Sequence, residues 1–244
     1  MILSFLIALQ FLTRIPVSLS EMPSERAVAN SIIFYPLIGF IIGVLLLIVA
    51  WLFGSIQAML LTAIVLTTWV LLTGGLHLDG LADSADAWAG GFGDSDKTLQ
   101  IMKDPYCGPA AVVTLLLVLL IKFSAIFVIL QSGNIFYLIV PPLLARTSVP
   151  VLYQTTSYVR QAGLGSNLSA RMPVGAVAVA IFFSMLMTVL LLGQAVWIIL
   201  AVFIVSFVAI RWLMIKRIGG TTGDTTGALI ELTETTALIA IASL

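Results

Sequence analysis

The sequence predicts an all-α, polytopic membrane protein, folded as a single integral membrane domain over residues 1–244, and three observations predict it. Of the 244 residues, 61% are hydrophobic and only 9% are charged, against about 25% charged in soluble domains. Several apolar runs reach the ~20 residues that carry a helix across a bilayer core. The runs are continuous, without the alternation of a membrane barrel.

Hydropathy places six spans, at about 32–53, 58–76, 110–130, 135–153, 174–192 and 196–214. The stretch 2–13 is short for a span and reads as an interfacial helix. The stretch 228–244 is ambiguous in the same way, so the expectation is about six to seven transmembrane helices. The N-terminus has no basic residue ahead of its apolar stretch and no small-residue cleavage motif, so no removable signal peptide is expected.

The charges divide by face. The connections 54–57, 131–134 and 193–195 carry none. The other face holds Arg14, Arg26, the 77–109 loop, Arg146, Arg160, Arg171, Arg211, Lys216 and Arg217. The positive-inside rule makes that face cytoplasmic. The expectation is therefore a protein of the plasma (cell inner) membrane, in contact with its lipids, with its chemistry facing the cytoplasm. The formal net charge is zero, and nothing points to a nucleic-acid partner. Cys107 is the only cysteine, which excludes an internal disulfide and a multi-cysteine metal site and reads as inert. Lys122 stands out, because it falls mid-way along the third span. A lone lysine there costs a few kcal/mol or more unless it snorkels or finds a partner. An interhelical contact and a role in a polar cavity are equally open.

The segment GGLHLDGLADSADAWAGG, 74–91, carries the chemistry. On a helix Asp79, Asp83 and Asp86 are i, i+4 and i+7, within about 60° of one another. Like charges so placed repel, and near a membrane each also bears a desolvation cost, up to roughly 2.5–3.5 kcal/mol at a helix centre. A divalent cation offsets both, and an all-oxygen donor set selects a hard ion, Mg²⁺ or Mn²⁺. Gly80, Ala82 and Ala85 keep the neighbouring positions small, for close helix or substrate approach. The bland reading is a solvated acidic helix end. His77, the only histidine, points to the opposite face of such a helix and reads as a packing or capping residue.

A second polar segment, 216–234, brings Lys216, Arg217, glycines 219, 220, 223 and 227, then Asp224 and Glu231. Asp224 and Glu231 are seven apart, again on one helical face. Backbone N–H groups of the glycines, Gly223 among them, suit a phosphate. A third stretch, 101–109, adds Lys103 and Asp104 in a turn set by Pro105 and Pro109. Carboxylates with Lys and Arg on one membrane face suggest Mg²⁺-assisted phosphoryl transfer.

With these motifs in place, the run 74–91 strongly resembles the signature of the cobalamin synthase family of adenosylcobinamide-GDP ribazoletransferases. FLTRIP (11–16), FYPLIGFIIG (34–43), IMKD (101–104), Lys122, Ala145-Arg146 and GGTTGDTTGALIEL (219–232) match the family in order, over nearly the whole chain. Ala87 and Pro105 depart from it, where the family usually has Gly and often Ser. The resemblance implies a Mg²⁺-using membrane transferase of cobalamin biosynthesis. Its reaction joins α-ribazole, or its 5′-phosphate, to adenosylcobinamide-GDP, releases GMP, and gives adenosylcobalamin or its phosphate. It implies Asp79 and Asp83 as ligands of Mg²⁺ on the diphosphate, and Asp86 as a further ligand or as the base for the attacking hydroxyl. Asp83 and Asp86 are thus the catalytic candidates. Asp224 and Glu231 form a second carboxylate set, and Lys103, Arg146, Lys216 and Arg217 the phosphate contacts. At motif level the aspartates are also similar to those of CDP-alcohol phosphotransferases, so a lipid phosphotransferase is one alternative. A cation transporter is the other, opposed by carboxylates that gather at one face and by the lack of an internal repeat. Homo-oligomerisation stays open.

Overall fold

The computed structural model describes residues 1–19, 22–160, 168 and 171–244. Among them every regular element is helical, and the one extended feature is an isolated bridge between Tyr158 and Thr221. We number the main helices α1 (Ile2–Leu12), α2 (Glu25–Ser31), α3 (Tyr35–Leu52), α4 (Ala58–Thr73), α5 (Leu76–Gly90), α6 (Ser95–Ile101), α7 (Pro109–Gln131), α8 (Val140–Thr155), α9 (Val174–Leu192), α10 (Val196–Ile218) and α11 (Gly223–Ala242).

Among the described residues four helical segments are long and apolar enough to cross a membrane: Glu25–Leu52, Pro109–Gln131, Ile135–Thr155 and Val174–Ile218, or five if α4 and α5 count as one broken span. The expected six to seven is therefore met only approximately. One reason is that Val174–Ile218 is a run of 45 residues that contains both α9 and α10, parted at Gly193 with φ 54°. At 1.5 Å per residue it would measure ~68 Å, about twice the ~30 Å core, so it cannot cross as one straight helix. α1 is apolar but too short to cross.

Burial sorts the helices into a centre and a rim. α7, α9 and α10 expose rows of Leu, Val, Ile and Phe, such as Leu120, Phe182, Leu190 and Val205. Apolar surface on that scale belongs in lipid. Trp51 and Trp197 are exposed beside the uncharged turns at 54–57 and 193–195, where the aromatic belt of a membrane protein sits. The centre is α8 and α11. α11 packs on α5, α7, α8 and α10, and most of its side chains are buried although it is not apolar enough to be a span. Surrounded by protein rather than lipid, it can carry Thr225, Thr226, Glu231, Thr233, Glu234 and Thr235 inward.

The helix that bears the aspartates is set by a glycine pair. α4 ends at Gly74 (φ 64°) and α5 begins after Gly75 (φ 69°). Both lie in the left-handed region, which costs other L-residues roughly 1–2 kcal/mol each. The chain bends by 85° there. α5 therefore leaves the line of α4 and runs as a separate helix against α7 and α11.

Candidate active site

α5 is one continuous helix from Leu76 to Gly90, so Asp79, Asp83 and Asp86 do share a face. The opposite face, with His77, Gly80, Leu81, Ser84 and Ala87, is buried. Gly80 permits a close approach: a Cβ there would lie 2.6 Å from the carbonyl oxygen of Asp224. α5 and α11 thus touch backbone to backbone, which brings Asp224 to the aspartates of α5.

A short tertiary tie completes the corner. Val159 N–H donates to Thr221 O at 2.9 Å, and Thr221 N–H donates to Ser157 O at 2.9 Å. Thr222 and Thr225 then form a reciprocal capping box at the start of α11. The tie places Arg160 beside Asp224 as an ion pair, with Nη2 to Oδ2 at 2.8 Å. Asp224 has its carboxyl pushed above the usual carboxylate range, first by burial and further by Asp79, with Arg160 opposing. Asp83 is pushed up to about 6, first by burial, then by Asp79 and Asp224. Crowding of this kind is relieved by a cation.

Asp86 has a different environment. Its carboxylate accepts from Gly108 N–H at 2.6 Å and Ala111 N–H at 2.9 Å. It therefore caps the N-terminus of α7, where a negative charge also meets the helix dipole.

The remaining sequence candidates separate. Glu231 is buried and accepts from Lys122, which is also 2.5 Å from Glu234. Arg146, fully buried, pairs with Glu234. Two cations and two carboxylates on α7, α8 and α11 thus form an internal ionic cluster. Lys122 has its partners, and the interhelical reading of it holds. Arg217 Nη1 donates to Trp88 O at 3.2 Å, which leaves it at the edge of α5. Lys216 is exposed, with Nζ 4.8 Å from the Trp212 ring centroid. Lys103 is exposed on the loop before α7. Gly223 lines a cavity beside Asp224.

Two cavities meet at Asp79. One, of about 240 Å³, reaches Asp224 and is walled by Tyr35, Tyr153 and Tyr158. The other, of about 260 Å³, reaches Asp83 and Asp86 and is closed by Pro105, Tyr106 and Cys107. Glu231 lines neither. Among the described residues no three His, Cys, Asp or Glu side chains are already gathered as a metal shell.

Sequence reasoning passed over Arg160 and Glu234 as site or network residues. Arg160 had a usable signal, a basic residue just past a span. Glu234 lies three residues after Glu231 and is legible as its i+3 neighbour.

The model of the cobalamin-5-phosphate synthase family matches residues 4–242. The chain belongs to that family. This places it in cobalamin synthesis. Proteins named adenosylcobinamide-GDP ribazoletransferase are similar to it nearly end to end. The one from Pseudomonas putida (strain GB-1) is 50% identical over 240 residues, 98% of each chain. The one from Ectopseudomonas mendocina is 49% identical over 236 residues, 97% of each. That of Acinetobacter baumannii (strain ATCC 17978) is 48% identical over 231 residues, 95% of this chain and 93% of the relative. No solved structure matches.

The contact at Gly80 yields a prediction for this family member. Its Cβ would meet backbone, which cannot swing aside, so Gly80→Ala should part α5 from α11. A displacement near 1 Å can cost a reaction ~10²-fold, while overpacking costs ~1–3 kcal/mol of stability. The variant should lose at least about 10²-fold in kcat while still purifying as folded protein. Unchanged kcat would separate the α5–α11 contact from catalysis.

Proposed function

We propose that the chain joins α-ribazole, or its 5′-phosphate, to adenosylcobinamide-GDP, releasing GMP, at the cytoplasmic face of the plasma membrane. The observation that carries this reading is Asp79 at the junction of two cavities. A two-substrate transfer needs one compartment for each partner and anionic residues where they meet. The name of the chain's relatives, adenosylcobinamide-GDP ribazoletransferase, supplies the substrates. The charge-free turns supply the orientation.

The residues fit Mg²⁺ in donor type and charge. Asp79, Asp83 and Asp224 offer only hard oxygen, and burial and mutual repulsion press on Asp83 and Asp224. A preformed cage is not required, because Mg²⁺ characteristically takes one or two carboxylates and completes its shell with waters and substrate phosphates. When bound by Asp79 and Asp224, it supplies charge neutralisation on the diphosphate. Asp83 borders the same cavity as Asp79 and, with no ion bound, is pushed up to about 6, which makes it the base of this reading. A ribose hydroxyl attacks the phosphorus attached to cobinamide, and its proton passes to the Asp83 carboxylate. The bond from that phosphorus to the bridging oxygen of GMP breaks, and GMP leaves with the electron pair. Arg160, held at Asp224, and Lys103 supply positive charge near the departing phosphate. Asp86 fixes α7 against α5.

The test uses the purified chain in nanodiscs with adenosylcobinamide-GDP, α-ribazole and Mg²⁺, followed by mass-resolved chromatography. GMP and cobalamin should appear together and vanish in EDTA. Folded protein that yields neither product with the nucleoside or its phosphate overturns the reading. Product that persists in EDTA overturns the metal.

A further inference from the structure

We propose that the cavity of about 240 Å³ is the seat of the acceptor nucleoside, with its flat aromatic base among Tyr35, Tyr153 and Tyr158 and its ribose toward Asp79 and Asp224. This rests on the reaction proposed above and deepens it. The walls are aromatic and mutually braced. Phe11 and Tyr35 stack at 6.3 Å with 23° between planes, and Tyr153 meets Tyr158 edge-on at 6.0 Å and 90°. Rings so held offer faces and edges to a flat π-system at little entropic cost.

Size excludes the corrin macrocycle. The cavity lies just below the ~300–1,000 Å³ of typical ligand pockets. It suits a nucleoside and excludes a corrin macrocycle, which must dock outside and present only its diphosphate at Asp79.

Polarity agrees. His77 lines the same cavity, is 3% exposed, and among the described residues its Nε2 has no hydrogen-bond partner. An unsatisfied buried nitrogen is destabilising and uncommon in folded proteins. A ring nitrogen of the base or a ribose hydroxyl would satisfy it. His77 is then a binding residue as well as a packing residue of α5.

The test measures KM for α-ribazole and for adenosylcobinamide-GDP separately in full-length enzyme in nanodiscs. Equilibrium dialysis of α-ribazole without corrinoid runs beside it. The variants are Tyr153→Leu, Tyr158→Leu and His77→Gln. Tyr158 is only half-buried, so its variant should fold even where Tyr153→Leu does not. Base–aromatic stacking corresponds to roughly fivefold or more per ring. KM and the dissociation constant for α-ribazole should rise at least about fivefold in Tyr158→Leu, with KM for the corrinoid within about twofold of the parent. An unchanged α-ribazole constant overturns the site, as does a rise confined to the corrinoid, while turnover keeps the reaction standing. If the parent binds α-ribazole with this variant pattern yet forms no product, the reaction fails and the site stands.

Discussion

Asp83→Ala should abolish turnover, by at least about 10³-fold in kcat, within the 10²–10⁴ range for loss of a general base, and should leave the fold intact. The sign of its effect on stability follows from Asp83 itself. Burial and the neighbouring Asp79 and Asp224 raise its carboxyl from 3.8 to about 6. The folded chain therefore binds this proton more tightly than the unfolded chain. Stability from this group is present at low pH and declines as pH rises between those two values. Above about 6 the folded state bears the full penalty of a crowded anion. A neutral residue removes that penalty, so in EDTA at pH 7 the variant should melt no lower than the parent. The decisive pair of measurements is kcat in Mg²⁺ and Tm in EDTA. Near-normal kcat would remove Asp83 as the base. A large fall in Tm would make its role structural.

Glu234→Ala should have the largest effect on stability. Glu234 is fully buried and, among the described residues, is the only carboxylate in contact with both Lys122 and Arg146. Removing it leaves two buried cations facing the single carboxylate of Glu231. Breaking one side of a buried ion pair typically costs ~3–5 kcal/mol. Among the described residues two nitrogens of Arg146, Nε and Nη2, already lack hydrogen-bond partners, which leaves Glu231 as the remaining counter-charge. Glu231→Ala should cost less, because Lys122 keeps Glu234. Thermal unfolding in detergent, with both variants side by side, checks the order. If Glu231→Ala instead leaves Tm unchanged and abolishes turnover, Glu231 is a site residue and not a member of the ionic cluster.

The span boundaries were readable because membrane crossing is a local property of length and apolarity. The runs placed at 110–130, 135–153 and 174–192 fall within one or two residues of Pro109–Gln131, Ile135–Thr155 and Val174–Leu192. The common face of Asp79, Asp83 and Asp86 was readable for the same kind of reason, since it needs only helical periodicity. The 85° bend at Gly74-Gly75 was half readable: the glycines mark a break, but not its angle.

What a residue meets across the fold is not local, and there only tertiary structure decided. α11 looked like a marginal span, because its polar residues lower its hydropathy. It is the central helix, and those residues face protein instead of lipid. Glu231 had the right spacing from Asp224 for a second carboxylate set, yet Lys122 engages it, since α7 and α11 pack side by side. Asp86 has the spacing to share a site with Asp79 and Asp83, and only the fold shows that two amides of α7 also hold its carboxylate. Arg160 reaches Asp224 through the backbone bonds between 157–159 and Thr221, segments more than sixty residues apart. Residue type and helical period thus determined which carboxylates share a face of α5 as candidates for the chemistry. The packing of α5, α8 and α11 decided which carboxylates stay free for it, because each buried charge must find its partner before any is left for a substrate.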